Sequence, residues 1–193
     1  METIEWNEEQ RKAFQDLLRE FAALIDTKAQ EEKQTGKTPK IPKWASYQKG
    51  LNQFLTPWGY ACKISPGSGN LSHEPSIAFC RQDILEKGFV NGEKPTPKKK
   101  GFFIWLAYYW RNDAEKFYLC IGRSIEKDGE KECKKCLAYD KIVKSNGDTY
   151  YQEFYDDLES HLENITNDFL RFANEFNQIP TAYFGLEPSG ASH

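Results

Sequence analysis

The chain has 193 residues, of which 26 are Lys or Arg and 29 are Asp or Glu, with 39% hydrophobic and 15% aromatic content. That length fits one domain with its own core, and no apolar run nears the roughly 20 residues a bilayer-spanning helix needs. The formal net charge of -3 supplies no global field for a polyanion, so any nucleic-acid surface must be a local patch. The opening METIEWNEEQRK lacks the apolar stretch of a secretory leader, and a cytoplasmic protein with no membrane partner is expected.

Asn7 followed by Glu8 and Glu9 reads as a helix start, with acidic residues against the positive end of the helix dipole. Phe14, Leu17, Leu18, Phe21, Leu24 and Ile25 recur at helical spacing and predict an amphipathic helix to about Gln34, within an N-terminal unit 1–35. The stretch Gly36 to Lys43, with Pro39 and Pro42, breaks that helix and opens an extended connector over 36–58. Its Gly36-Lys37-Thr38 is not a phosphate loop, because the glycine required five residues earlier is Glu31.

Between Gly59 and Ile125 short apolar runs divided by Gly, Pro and Asn predict strands at Gly59 to Ile64, Ser76 to Cys80, Phe102 to Trp110 and Lys116 to Gly122. The run FFIWLAYYW is apolar on both alternating faces, as expected of a central strand covered on both sides. From Tyr151 to Phe176, residues Phe154, Leu158, Leu162, Ile165, Phe169, Phe172 and Phe176 step by three or four and predict a long C-terminal helix. The expected fold is α+β: a central, mostly antiparallel sheet flanked by an N-terminal and a long C-terminal helix. The binding core spans 59–180, and residues 181–193 read as a linker or remnant tail of a larger parent protein.

The five cysteines, Cys62, Cys80, Cys120, Cys133 and Cys136, are an odd set and read as reduced thiols. Cys133 and Cys136 have the spacing of half a zinc site, but there is no second such pair and His73, His161 and His193 lie far off, so neither metal nor cofactor is expected. His161 falls beside the last apolar stripe, and Asp156, Asp157 and Glu159 read as a solvated helix face. With no acid–base or nucleophile constellation, the expectation is a binding domain without catalytic residues.

The most informative segment is Ser65 to Phe79, SPGSGNLSHEPSIAF. Gly67 and Gly69 around Ser68 allow positive φ and close approach of another molecule, and Asn70 can cap the loop or contact a ligand; the same residues also suit a plain tight turn. This Gly-x-Gly-Asn loop is followed by Pro75-Ser76-Ile77-Ala78-Phe79, then Gly101 opening the aromatic strand, then Leu119 to Ser124. In order and spacing these motifs resemble the McrB N-terminal domain family of modified-cytosine-dependent restriction proteins.

The resemblance implies a module that binds double-stranded DNA carrying a modified cytosine and rotates the modified base into a pocket. In a larger parent protein it would be joined to a GTP-driven motor and recruit a nuclease subunit. Carried over by position, the base pocket would be Ser76, Phe79, Phe103, Ala107 and Tyr109, with Trp105 and Tyr108 as further stacking faces. The loop or wedge would be Gly67, Ser68, Gly69, Asn70, Leu71 and His73. Phosphate contacts are expected from Lys63, Lys98, Lys99, Lys100 and Arg123, with Lys94 nearby.

The sequence departs from the family where volume matters. Ser68 stands at the family's bulky aromatic wedge, Ser76 at its pocket tryptophan, and Phe103 and Ala107 at its strand tyrosine and leucine. Three of these four changes remove volume, so a base bulkier than 5-methylcytosine is expected, with Leu71 or His73 as wedge. The alternative is a protein-interaction domain that kept the fold and lost DNA binding.

Overall fold

The computed structural model describes residues 1–85, 101–123, 130, 131, 133–144 and 151–185. Helix α1, Glu8–Thr35, begins at Asn7, whose side chain accepts from the Gln10 amide while the Gln10 side chain accepts from the Asn7 amide, each at 2.9 Å. This reciprocal capping satisfies two of the amides that a helix start leaves unpaired. Gly36, at φ 66°, ends the helix in the left-handed conformation.

Helix α2, Ala45–Leu55, occupies much of the stretch expected to be extended connector. Its buried residues Tyr47, Leu51 and Leu55 step by four, a stripe too short to stand out from the flanking prolines. The helix lies along the sheet edge, where the Asn52 side chain accepts from the Cys62 amide at 2.8 Å and the Gln48 side chain from the Ile64 amide at 3.1 Å. Two side chains thus occupy donors that an edge strand would otherwise expose.

The fold is α+β, with five antiparallel strands in sequence order: β1 Tyr60–Ser68, β2 Asn70–Arg81, β3 Phe102–Tyr108, β4 Phe117–Arg123 and β5 Gln152–Tyr155. Helix α3, Leu162–Gln178, crosses one face of this sheet. Phe14 of α1, Phe79 of β2 and Phe169 of α3 meet there, with ring centroids 4.7 to 6.3 Å apart. Ile77, Ile104, Leu106, Leu119 and Ile121 are buried on the same side. Each such side chain removed from water contributes about 1.5–3 kcal/mol, which makes this layer the main source of stability.

The C-terminal helix starts later than the apolar spacing suggests. Residues 152–155 form β5, pairing Phe117 with Tyr155 and Tyr118 with Phe154. Phe154 and Leu158 coincide with a helical step, but alternation governs here: Tyr155 is buried toward the helices while Phe154 is 50% exposed on the opposite face. Asp157 then accepts from the Ser160 amide at 3.0 Å and begins the turn into α3.

Arg81 is buried at the far end of β2, where it donates to the carbonyls of Phe176 and Ile179 at 2.5 and 2.8 Å and pairs with Asp83 at 2.6 Å. Although burial opposes ionisation, the Arg81 guanidinium holds the Asp83 carboxyl below its ordinary value. A cation is thereby placed against the negative end of the α3 dipole. All five cysteines are buried. Among the described residues no helix is long and apolar enough to cross a membrane.

Candidate functional site

All of the aromatic packing just described lies on one side of the sheet. The other side carries Lys63 and Ser65 from β1, Ser76 and Ala78 from β2, Phe103, Trp105 and Ala107 from β3, and Tyr118 and Cys120 from β4, as the register requires. Contrary to the expectation of a strand covered on both faces, Phe103 and Trp105 are only half-buried there. Trp105 meets Tyr118 edge-on at 5.8 Å, and Tyr118 stacks on Phe154 at 4.5 Å. The Tyr118 hydroxyl donates to the Gln152 side chain at 2.8 Å, and burial pushes its pKa up.

The Gly-rich segment forms the tip of the β1–β2 hairpin. Ser68 pairs with Asn70 across Gly69, which has φ 74°. Gly67 has φ 131°, and a Cβ there would collide with the Asn70 carbonyl and the Ser72 amide, so the close approach requires glycine. The connector braces the tip: Leu71 N–H donates to the Pro39 carbonyl at 2.9 Å, Ile41 N–H donates to the Gly69 carbonyl at 3.3 Å, and Lys40 bridges to Asn70.

Below the tip the hairpin loses register. Ser65 opposes Ser76 and Gly67 opposes Leu71, so Ser72, His73, Glu74 and Pro75 stand against Pro66 alone. Such an irregularity re-aims side chains, and this one is pinned in place. The Trp110 indole N–H donates to the Ser72 carbonyl at 2.7 Å, the Ser72 hydroxyl accepts from the Glu74 amide at 3.2 Å, and Arg111 donates to His73 Nδ1 at 2.9 Å. Arg111 also pairs with Glu32 of α1 and lies 4.5 Å over the Trp110 ring.

The bulge, the hairpin and α2 enclose a pocket of about 560 Å³, lined by Gln48, Lys63, Ser65, Glu74, Ser76 and Trp105 together with Ile41, Ile64, Pro66, Gly67 and Ser72. Trp105 supplies an aromatic wall, and the small side chains around it leave the volume open. A second cavity of about 550 Å³ adjoins the bulge and is lined by His73, Tyr109, Arg111, Asn112, Asp113 and Ala114. Tyr109 of the second cavity lies close enough to Glu74 of the first for the carboxylate to bear on its pKa. Burial, then Glu74, pushes the Tyr109 pKa up to about 12, so this hydroxyl remains a donor at neutral pH.

The residues expected from sequence divide sharply in this geometry. Lys63, Gly67 and Ser76 line the first pocket, and Ser68, Gly69 and Asn70 are exposed at the hairpin tip without lining it. Ala107 pairs with Ser76 on the pocket side but is fully buried beside it. Tyr109 lines the second cavity and not the first. Phe103 is two residues from Trp105, toward the far end of β3 and opposite Gly122, and is not in the lining.

Three expectations are overturned. Phe79 is not a pocket residue: an odd number of positions separates it from Ser76, and it is fully buried under Phe14 and Phe169. Leu71 is no wedge, because it is 4% exposed in the core. Tyr108 is buried on the helix side, where its hydroxyl donates to Asp26 at 2.5 Å, so it offers no stacking face. His73 is exposed at the bulge.

Arg123 is half-buried, 3.5 Å from Glu130 and 5.5 Å over the Tyr139 ring, so its charge is committed within the fold. Lys94, Lys98, Lys99, Lys100 and Ser124 lie outside the described residues. Glu74 and Gln48 were not foreseen. Gln48 comes to the pocket from α2, an element without a local signature in the sequence.

Asp156, Asp157 and His161 have potential ligand atoms within 4.8 Å of one another. Hydrogen bonding at the start of α3 accounts for them: His161 Nε2 is 2.7 Å from Asp156, and Asp157 caps Ser160. Cys133 Sγ is 3.7 Å from the Gly101 carbonyl and Cys136 Sγ 3.5 Å from that of Phe184, which fits buried packing thiols. Compared with family models, curated proteins and solved structures, the chain matches none.

Proposed function

We propose that this chain is a DNA-binding specificity module of a modification-dependent, McrBC-like restriction system. It acts in the cytoplasm by binding rather than catalysis, and accepts a modified cytosine rotated out of duplex DNA. Motor and nuclease functions belong to other domains or partner chains. The observation that carries this reading is the pocket itself, which joins a glycine-formed hairpin tip, a ring of small polar side chains and an exposed tryptophan face.

Extruding a base costs a few kcal/mol of stacking and pairing, and the pocket must return that energy. Stacking on Trp105 contributes about 1–3 kcal/mol, and Ser65, Ser76, Gln48 and Glu74 supply polar groups for the base edge. The small side chains of Ser65, Gly67, Ser72 and Ser76 leave room in the lining, which favours a base carrying a bulky substituent over 5-methylcytosine. Lys63 in the lining and exposed Lys40 beside the tip supply local positive charge for the flanking phosphates.

The test is affinity for one duplex that carries, at a single cytosine, no modification or a 5-methyl, 5-hydroxymethyl or glucosylated 5-hydroxymethyl group, at two salt concentrations. Binding concentrated on the bulkier substituents is expected. Equal affinity for plain and modified duplexes would leave a nonspecific DNA module, and no binding at either salt would favour the protein-interaction alternative. The exposed, stacked Phe154 of the open face is the feature that suits that second reading.

A further inference from the structure

We infer that Glu74, facing Gln48 across the pocket lining, makes the pocket selective for a base that carries an exocyclic amine next to a ring acceptor, as cytosine and adenine do. Bases with a carbonyl in that place are rejected. This inference rests on the base-pocket reading above and names the chemical class the pocket takes.

An exposed carboxylate in a surface that meets a polyanion works against binding unless it makes a contact that offsets the repulsion. Glu74 sits in the bulge and lines the pocket, with its backbone amide on the Ser72 hydroxyl. Ionised, its carboxylate is an acceptor only, with lone pairs to take an amine. Gln48 supplies the opposite polarity: its side-chain oxygen already accepts from the Ile64 amide, which leaves its amide nitrogen as the donating group. The Ser65 and Ser76 hydroxyls turn either way and cannot discriminate.

An acceptor with a donor opposite complements the adjacent amine and ring nitrogen of cytosine, and a carboxylate receiving the cytosine amine is an established base contact. A uracil-type base would turn its carbonyl lone pairs toward the carboxylate.

The experiment compares 5-hydroxymethylcytosine with 5-hydroxymethyluracil, and 5-methylcytosine with thymine, each opposite an abasic site so that no base pair is lost on extrusion. The wild-type chain should prefer the amine-bearing member of each pair by about tenfold or more. Glu74→Gln, whose amide can present its N–H to a carbonyl, should bring that ratio within about threefold by tightening the carbonyl base. Unfolding midpoints establish that the variant is folded. Equal wild-type affinity for both members, or an unchanged ratio in Glu74→Gln, overturns this inference and leaves the pocket reading intact so long as modified duplexes outbind plain ones. Uniform binding of plain and modified duplexes overturns both.

Discussion

The two faces of β3 are built from nearly the same kinds of residue and meet opposite fates. Phe102, Ile104, Leu106 and Tyr108 are buried beneath α1 and α3, while Phe103 and Trp105, one position out of phase, are half-exposed on a face to which α1, α2 and α3 contribute no ring contact. An aromatic-rich strand is therefore not evidence of function or of core by itself. Alternation assigns half of it to folding and leaves the other half for recognition.

The largest effect expected on this contrast comes from Phe79→Ala, on the helix side. Removing a ring held between Phe14 and Phe169 should cost about 3–5 kcal/mol and lower Tm on the order of 10 °C, read by thermal unfolding. A change of a degree or two would mean that the helix face is not the stabilising layer.

Ala107→Leu probes the boundary between the faces. Ala107 belongs to the pocket side by register yet is fully buried, so the larger side chain should overpack and cost about 1–3 kcal/mol. Unchanged stability with weakened binding of bulky bases would instead place Ala107 in the pocket wall.

Trp105→Ala reverses the pattern of Phe79. It should weaken binding of the best modified duplex by about 1–3 kcal/mol, measured by titration, with the smaller change in Tm of the two variants. Smallest of all, Lys63→Gln should weaken plain and modified duplexes alike and reduce the salt slope of binding by about one, seen in affinities over a salt series. An effect confined to one modified base would make Lys63 a base contact rather than a phosphate contact.

The layout of the fold was legible where local periodicity and burial agree. The stripe from Phe14 to Ile25, the existence of strands β3 and β4 and the helix through Phe169 and Phe176 follow from spacing alone. Residues 152–155 misled because Phe154 and Leu158 sit four apart by coincidence, and α2 was hidden behind Pro39 and Pro42. For the site, Lys63, Gly67 and Ser76 could be found from the motif, and parity could already have separated Ser76 from Phe79. Gln48 could not be found, since it reaches the pocket from a helix docked along the sheet edge, whereas Glu74 shares the parity of Ser76.

The bracing of the hairpin tip by Pro39, Lys40 and Ile41 bears on how tightly any ligand can be held. A free glycine-rich turn would have to surrender its conformational freedom at the moment of association, at about 1–2 kcal/mol per residue fixed. Here Gly67 to Leu71 are ordered when the chain folds, so the loss is charged to folding and the tip meets its ligand already in shape.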